Sequence, residues 1–538
     1  MIDYRAIRIA LASSAAIGAL AVASTAMADT TDDEQNARIA RLEAAVAQLS
    51  QLVAQKDAAN AEEKARNAEL SAQVEGLEAQ IVDLKTSSAA AISEVRTTAV
   101  ATLPSLNNGR PTFTSADGQF TAALRGVFQL DSAIYVQDAP GPIGSDFRRG
   151  SFNDATENDH ARDLNDGTNF RRARIGIEGK AFGDFEYNFL YDFGGAGNEE
   201  AGKISSAWVQ WNANPNLRFR IGAFSPPAGL EEVASTNGSL FAERASPSEL
   251  VRGIAAGDGR VAAGVFANGE RWQLSAALSG NVVTTQTFDE QLAFVGRFSV
   301  VPYKRTDSIL HLGLNTTIVI DPAATAPNVV PGVATNLRLR DRPELRVDGT
   351  RLVDTGNIDS DGLTEIGAEF AYQWRNFYAQ AEYFDITVQR RASALTDPHF
   401  NGWYVQGSWV LTGEARRYTI ATGAFDSPRP DKPFNPALGQ WGAWELGVRY
   451  SDLDLNYNEG TSVLLPADAV RGGEQQIFSL GLNWYLNNVF RFQAAFQNVE
   501  VDRLSPGGTA FVAGSTPAAG TQVGQDLQIW SLRTQYAF

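Results

Sequence analysis

The stretch Phe170-Arg171-Arg172-Ala173-Arg174-Ile175-Gly176-Ile177-Glu178-Gly179 places three arginines within four positions of an otherwise β-like run. It does so in a chain of 538 residues whose formal net charge is -17. Side chains alternate sides along a strand. Ile175 and Ile177 therefore share one face, and Arg172, Arg174 and Glu178 the other. If the isoleucines face lipid, the arginines face a lumen. The reverse placement would put guanidinium groups in hydrocarbon at roughly 2–4 kcal/mol each near the midplane.

The same alternation recurs along the chain. Arg125 opposes Leu124 and Phe128, Arg218 and Arg220 oppose Phe219 and Ile221, and Arg297 opposes Phe294 and Phe298. Arg449 opposes Val448 and Tyr450, Arg491 opposes Phe490 and Phe492, and Arg533 opposes Trp530 and Leu532. Nine arginines thus take inward positions on seven strands: Arg125, Arg172, Arg174, Arg218, Arg220, Arg297, Arg449, Arg491 and Arg533. A guanidinium is a planar fork of donors that stays charged and matches oxyanions. Rings of such groups in a watery pore lower the barrier for anions. Asp131, Glu178, Glu186, Glu365, Glu369 and Glu445 also read inward. Arginines paired to them would brace the wall and leave no charge for a solute.

The last strand alternates Trp530, Leu532, Tyr536 and Phe538 against Ser531, Arg533, Gln535 and Ala537. Aromatics also mark strand ends at Trp403, Trp409, Trp444, Tyr450, Trp484 and Phe490, as interfacial girdles do. Sixteen strands are predicted, near 119–136, 170–181, 184–193, 204–212, 216–224, 259–267, 271–280, 289–300, 307–320, 363–374, 377–388, 401–412, 441–455, 476–486, 489–500 and 524–538. Tight turns at 182–184, 268–270, 375–376 and 487–488 join some pairs; long polar segments at 137–169, 225–258, 321–362, 456–475 and 501–523 separate others. Short turns on one side and long loops on the other mark an outer-membrane barrel. The long segment 413–440 is the exception, since it falls on the short-turn side.

The first 28 residues read as a secretory signal peptide: basic Arg5 and Arg8, an apolar run from Ile9 to Ala23, and a small-x-small site at Ala26-Met27-Ala28. No later run is apolar enough for a transmembrane helix. Residues 29–103 keep a 3-4 spacing through Leu42, Val46, Leu49, Val53, Lys56, Asn60, Glu63, Asn67, Leu70, Val74, Leu77, Ile81, Leu84, Ser88, Ala91 and Val95. That period predicts a left-handed α-helical coiled coil, with Asn60 and Asn67 as a polar, register-fixing layer. β-branched residues at one core position and Leu at the other favour two strands. Residues 104–114 are a linker, and 115–538 the all-β transmembrane barrel.

Seven basic and thirteen acidic residues in 29–106 give that part a net -6; with +1 in the first 28, the rest carries -12. Much of that acid falls in predicted loops, as at Asp154, Glu157, Asp159, Asp163 and Asp166, where a solvated loop is the plain reading and divalent-ion bridging to lipopolysaccharide the alternative. The absence of cysteine excludes disulfides and thiolate metal sites. His160, His311 and His399 are scattered, and no nucleophile–base–acid grouping suggests an enzyme. Ile358-Asp359-Ser360-Asp361-Gly362 lacks the spaced glutamate of a calcium loop and reads as a turn. No metal, cofactor or nucleic-acid partner is indicated.

The segments NFRRARIGIEGK (169–180), GAFSPPAGLEEVASTNGSLFAERA (222–245), GWYVQGSWVLTGEARRY (402–418), GAWELGVRYS (442–451) and LGLNWYLNNVFRFQ (480–493) resemble those of the phosphate-selective porins O and P, in order from about 110 to 538. The resemblance implies a sixteen-stranded trimeric porin in the bacterial outer membrane. It also implies an arginine ladder leading phosphate-like anions to a constriction of in-folded segments, here 225–258, 321–362 and 413–440. The chain departs from the family in holding only Lys180, Lys203, Lys304 and Lys432 in its barrel, and in placing Ser225 where the family often has lysine. Strict phosphate specificity is therefore not carried over. The alternative is a weakly selective or cation-preferring general porin whose stalk, in the periplasm, contacts the cell wall and tethers the outer membrane.

Overall fold

The computed structural model describes residues 32–56, 64–102, 105–107, 109–137, 164–195, 202–283, 285, 288–324, 335–391, 394–507 and 519–538. The signal peptide, Asn60 and the loop acids Asp154, Glu157, Asp159 and Asp163 lie outside them, as does His160. The chain divides into a helical unit, essentially residues up to 103, and a β unit comprising nearly all the rest.

The helical unit consists of α1 (Asp32–Lys56) and α2 (Lys64–Thr102). Val46, Val74 and Ile81 are buried together, flanked by Leu42 and Leu77. All five are seam positions, so α1 and α2 of one chain cover each other's seam here. Lys85 donates to Glu43 across the pair at 2.5 Å.

The β unit is one closed antiparallel barrel of sixteen strands. They are β1 (Thr121–Gln137), β2 (Gly167–Ala181), β3 (Phe185–Asp192), β4 (Lys203–Asn214), β5 (Leu217–Ala223), β6 (Arg260–Asn268), β7 (Trp272–Val282) and β8 (Leu292–Lys304). Then follow β9 (Ser308–Asp321), β10 (Ile358–Trp374), β11 (Phe377–Arg390), β12 (His399–Val410), β13 (Ala443–Tyr457), β14 (Val470–Tyr485), β15 (Phe490–Asp502) and β16 (Leu527–Ala537). Each strand pairs with the next, and β16 pairs with β1, from Leu527 opposite Gln137 to Ala537 opposite Val127. Closure removes every free edge, as a lipid-exposed wall requires.

Faces follow the sequence pattern. Ile175, Ile177, Phe219, Ile221, Leu446, Val448, Leu480 and Leu532 are exposed, whereas Arg172, Arg174, Arg449 and Arg533 are buried. Trp444 stacks on Trp484 at 5.0 Å, and Phe490 on Tyr536 at 4.5 Å, forming a girdle at the short-turn end. The final Phe538 exchanges backbone hydrogen bonds with Gly126, 3.1 and 2.9 Å. A Cβ on Gly126 would lie 2.5 Å from the Phe538 ring, so this close approach needs glycine.

Residues 358–362 differ from expectation. They begin β10, with Ser360 opposite Arg390 and a bulge before Gly362 opposite Gln389. Arg391 pairs with Asp359 and Asp361 at 3.5 and 3.2 Å. Cross-strand pairing outweighs the local turn signal of an Asp-Ser-Asp-Gly run.

Three segments fold into the barrel. From 225–258 come α3 (Leu230–Val233) and α4 (Ser246–Ala255). Glu382 of β11 accepts the backbone N–H groups of Leu230 and Glu231 at 2.6 and 3.0 Å. Helix α4 presents Leu250, Val251 and Ile254 to a cluster shared with Val295, Val319 and Leu363 of the wall. Residues 335–357 add Leu345, Leu352 and Val353 to that cluster. The odd segment 413–440 enters from the short-turn end. Its ribbon, Arg417–Thr419 paired with Ala424–Asp426, buries Phe425 against Tyr378, Ala371 and Leu230.

Candidate functional site

All nine arginines of the sequence analysis lie on the non-lipid face, but they make different contacts. Five hold carboxylates directly. Arg125 donates to Glu178 at 2.7 Å. Arg174 pairs with Asp192 at 2.6 Å and with Asp258. Arg297 forms a bidentate pair with Glu369, 2.8 Å to each oxygen, and donates to the carbonyls of Thr422 and Gly423. Arg449 binds Glu344 and approaches Glu231 at 3.5 Å. Arg533 grips Asp131 at 2.5 and 2.6 Å and Glu243 at 2.7 Å. Arg172 is intermediate, donating to Gln129 at 2.7 Å with Glu243 at 3.7 Å.

The remaining three have no carboxylate at ion-pair distance among the described residues. Arg218 donates to Asn268 and to the carbonyl of Ala421, 3.1 Å each. Arg220 donates to Gln210 and lies 4.1 Å over the Trp208 ring. Arg491 reaches the carbonyls of Asn237 and Ser239 and the side chain of Asn483. The inward acids Asp131, Glu178, Glu369 and Glu445 are each spoken for; Glu445 takes Arg416, just before the in-folded ribbon, at 2.7 and 2.9 Å.

Sequence reasoning missed Arg171. Strict alternation sends it outward, but the β1–β2 register shifts so that Gln129 faces Arg172 and Leu130 faces Phe170. The bulge turns Arg171 inward, where it donates to Glu243 at 2.9 and 3.3 Å. Arg244 and Arg346, on irregular backbone with no period to read, and Arg252, on the short helix α4 within a segment read as a loop, were also missed. Arg244 and Arg252 hold Glu232 at 3.2 and 2.6 Å, and Arg252 also holds Glu249 and Asp258 at 3.1 and 2.9 Å.

Burial opposes ionisation of Glu243, but Arg171, Arg172, Arg533 and Arg346 outweigh it and hold its carboxyl well below the usual carboxylate range. Glu249 is likewise lowered against burial, by Arg252, Arg346 and Arg244. Burial dominates at Asp341, pushed up to about 7, and at Glu231, pushed up to about 6.

Toward the short-turn end the lumen opens into a cavity of about 750 Å³. Arg110, Arg125, Lys180, Arg417, Arg429 and Arg491 line it, against Glu178, Glu186 and Asp426, together with Phe538. Six positive side chains thus face three acidic ones, within a barrel that is acidic overall.

Residues 140–538 match the family model "Phosphate-selective porin O and P". The chain belongs to this family. A curated relative, Porin O of Pseudomonas aeruginosa, is 26% identical over 353 residues, 63% of this chain and 78% of the relative. Among solved structures, the chain is similar to an anion-selective porin from Comamonas acidovorans (14% identity, 78% of this chain, 100% of that one, TM-score 0.45). It is also similar to the outer-membrane channel DcaP of Acinetobacter baumannii (12% identity, 79% of this chain, 99% of that one, TM-score 0.43). Family membership and the closed barrel make this an outer-membrane porin.

Proposed function

We propose that this porin conducts small anions, phosphate-like in charge and size, by passive diffusion. The observation that carries the reading is the excess of cations lining the short-turn vestibule of an otherwise acidic barrel. A low-dielectric wall focuses that charge on the opening and raises the local concentration of anions. The nine arginines of the ladder divide their work. Arg218, Arg220 and Arg491 offer positive charge with no carboxylate at ion-pair distance among the described residues. Arg125 in the vestibule shares Glu178 with Arg110, two cations to one anion. Arg174, Arg297, Arg449 and Arg533 chiefly fasten the wall and the in-folded segments. The chain assembles, in this reading, as a homotrimer among outer-membrane lipid and lipopolysaccharide, with residues 29–103 as a periplasmic stalk in reach of the cell wall.

The test is the reversal potential of the purified porin in a planar bilayer under a KCl gradient, followed by phosphate addition. Anion selectivity with block by phosphate is expected. Lys180→Glu with Arg429→Glu should lower the anion preference without loss of folding, because both side chains are exposed and no carboxylate pairs with either among the described residues. A cation-selective reversal of the unaltered channel would favour the general porin that tethers the membrane.

A further inference from the structure

The connection between β12 and β13 is far longer than the other turns at its end of the barrel, and its two halves part company. Residues 417–426 form the ribbon inside the lumen, whereas residues 431–441 are almost wholly exposed. The exposed half lies on the lipid side of the rim. Phe434 sets its ring edge-on against Trp484, 5.4 Å between centroids, and against Trp441 at 5.7 Å. By alternation along β14, Trp484 shares its face with the exposed Leu480 and Leu482. The Trp484 indole N–H donates to the Trp441 carbonyl at 2.7 Å. Beyond these rings the backbone closes a small loop. Asn435 and Gln440 exchange hydrogen bonds at 2.9 and 3.0 Å, and Gly439 turns the tip at φ 67°. Leu438, held at that tip, is 68% exposed, and Trp441 is 58% exposed. Lys432 is exposed just before them. Exposed apolar residues scattered singly are ordinary; these are held together by a closed loop and continue the aromatic girdle of Trp484 and Trp444.

We infer that residues 432–441 form a surface anchor that rests in the headgroup region of the inner leaflet, with phospholipid as its partner. Short turns face the periplasm in barrels of this class, so the lipid bordering them is that leaflet. Trp441 brings an amphipathic ring to headgroup level, where tryptophan is favoured. Leu438 supplies the apolar point that enters the acyl boundary, and the Lys432 stem carries its ammonium to the lipid phosphates. Continuity with the girdle selects lipid over water: Trp484 already stands at the lipid boundary, and Phe434 and Trp441 extend its row. The anchor thereby fixes the outer foot of a connection whose inner foot is Arg416 on Glu445.

The chain has no cysteine, so a single one can be introduced as a label site. Leu438→Cys would carry a nitrobenzoxadiazole label in the full-length porin, reconstituted in vesicles of phosphatidylethanolamine and phosphatidylglycerol. Asn216→Cys, exposed in the turn between β4 and β5, serves as the control. Lipid with a doxyl group near the headgroup should quench the label at 438 several-fold more than the label at 216, and aqueous iodide several-fold less. Equal lipid quenching at the two positions would overturn the anchor. A label at 438 shielded from iodide yet untouched by doxyl lipid would also overturn it, and assign the tip to a neighbouring copy. Should Leu438→Cys fail to insert, intrinsic fluorescence in brominated lipid decides. Trp441→Phe should remove a bromine-quenched component; an unchanged quenched fraction would overturn the anchor.

Discussion

Asp341 makes the in-folded segments sensitive to pH. It accepts the Ser246 hydroxyl at 2.7 Å and so joins the second in-folded segment to the start of α4. Burial pushes its carboxyl up to about 7, against about 3.9 for a free aspartate. The folded form therefore holds its proton where the unfolded form has lost it. Stability falls as pH rises from about 4 to about 7, because ionisation then costs desolvation only in the folded state. Glu231, pushed up to about 6 by burial, acts in the same direction. Glu243 and Glu249 act oppositely: their arginines stabilise the fold above the ordinary carboxylate range, and that support is lost only in acid. Amide exchange in 244–249 and 340–346, corrected for intrinsic rate, should be faster at pH 8 than at pH 5. Asp341→Asn, which keeps an acceptor without the charge, should flatten the difference; an unchanged pH dependence would assign it elsewhere.

At the scale of the element, the sixteen strands were legible because lipid punishes every wrong face. One-residue slips would carry arginine into hydrocarbon, so Ile175 against Arg174 or Leu532 against Arg533 settles a whole strand. The failures lie where that pressure lapses. Residues 358–362 extend β10 at the loop end, where no apolar face is needed, and composition alone suggested a turn. Arg171 escaped because a bulge breaks the period that assigns faces. The terminal element invites a direct test. Phe538 closes on Gly126, where a Cβ would sit 2.5 Å from its ring. Gly126→Ala should push the terminal aromatic off β1 and cost about 1–3 kcal/mol by overpacking. A lower temperature of heat-induced mobility shift on gels reads it; an unshifted transition would mean the ring has room to turn away.

For the whole molecule, the sequence carried the barrel and its girdles but could not say how many arginines stay free. That depends on partners drawn from segments with no periodicity: Glu344 for Arg449, Glu243 for Arg171 and Arg533, and the Thr422 and Gly423 carbonyls for Arg297. The net -12 of the barrel region likewise hid a vestibule with more cations than anions. Of the sixteen seam positions read in residues 29–103, Val46, Val74 and Ile81 are buried together. Heptads specify what is buried, and α1 and α2 bury Val46, Val74 and Ile81 within one chain. This bears on what residues 29–103 contribute to conduction. The three in-folded segments named above come from residues after 224, and among the described residues their anchors include wall strands: Glu382 for α3, Asp131 through Arg533 for the Glu243 region, and Glu445 for Arg416. Closure of the wall likewise requires only β16 against β1. Deleting residues 29–103 while keeping the signal peptide should therefore leave the conductance and reversal potential of each inserted barrel nearly unchanged. The number of channels opening together should change if the helices hold copies in register. A collapse of unit conductance in correctly inserted barrels would place the helices in the conduction path.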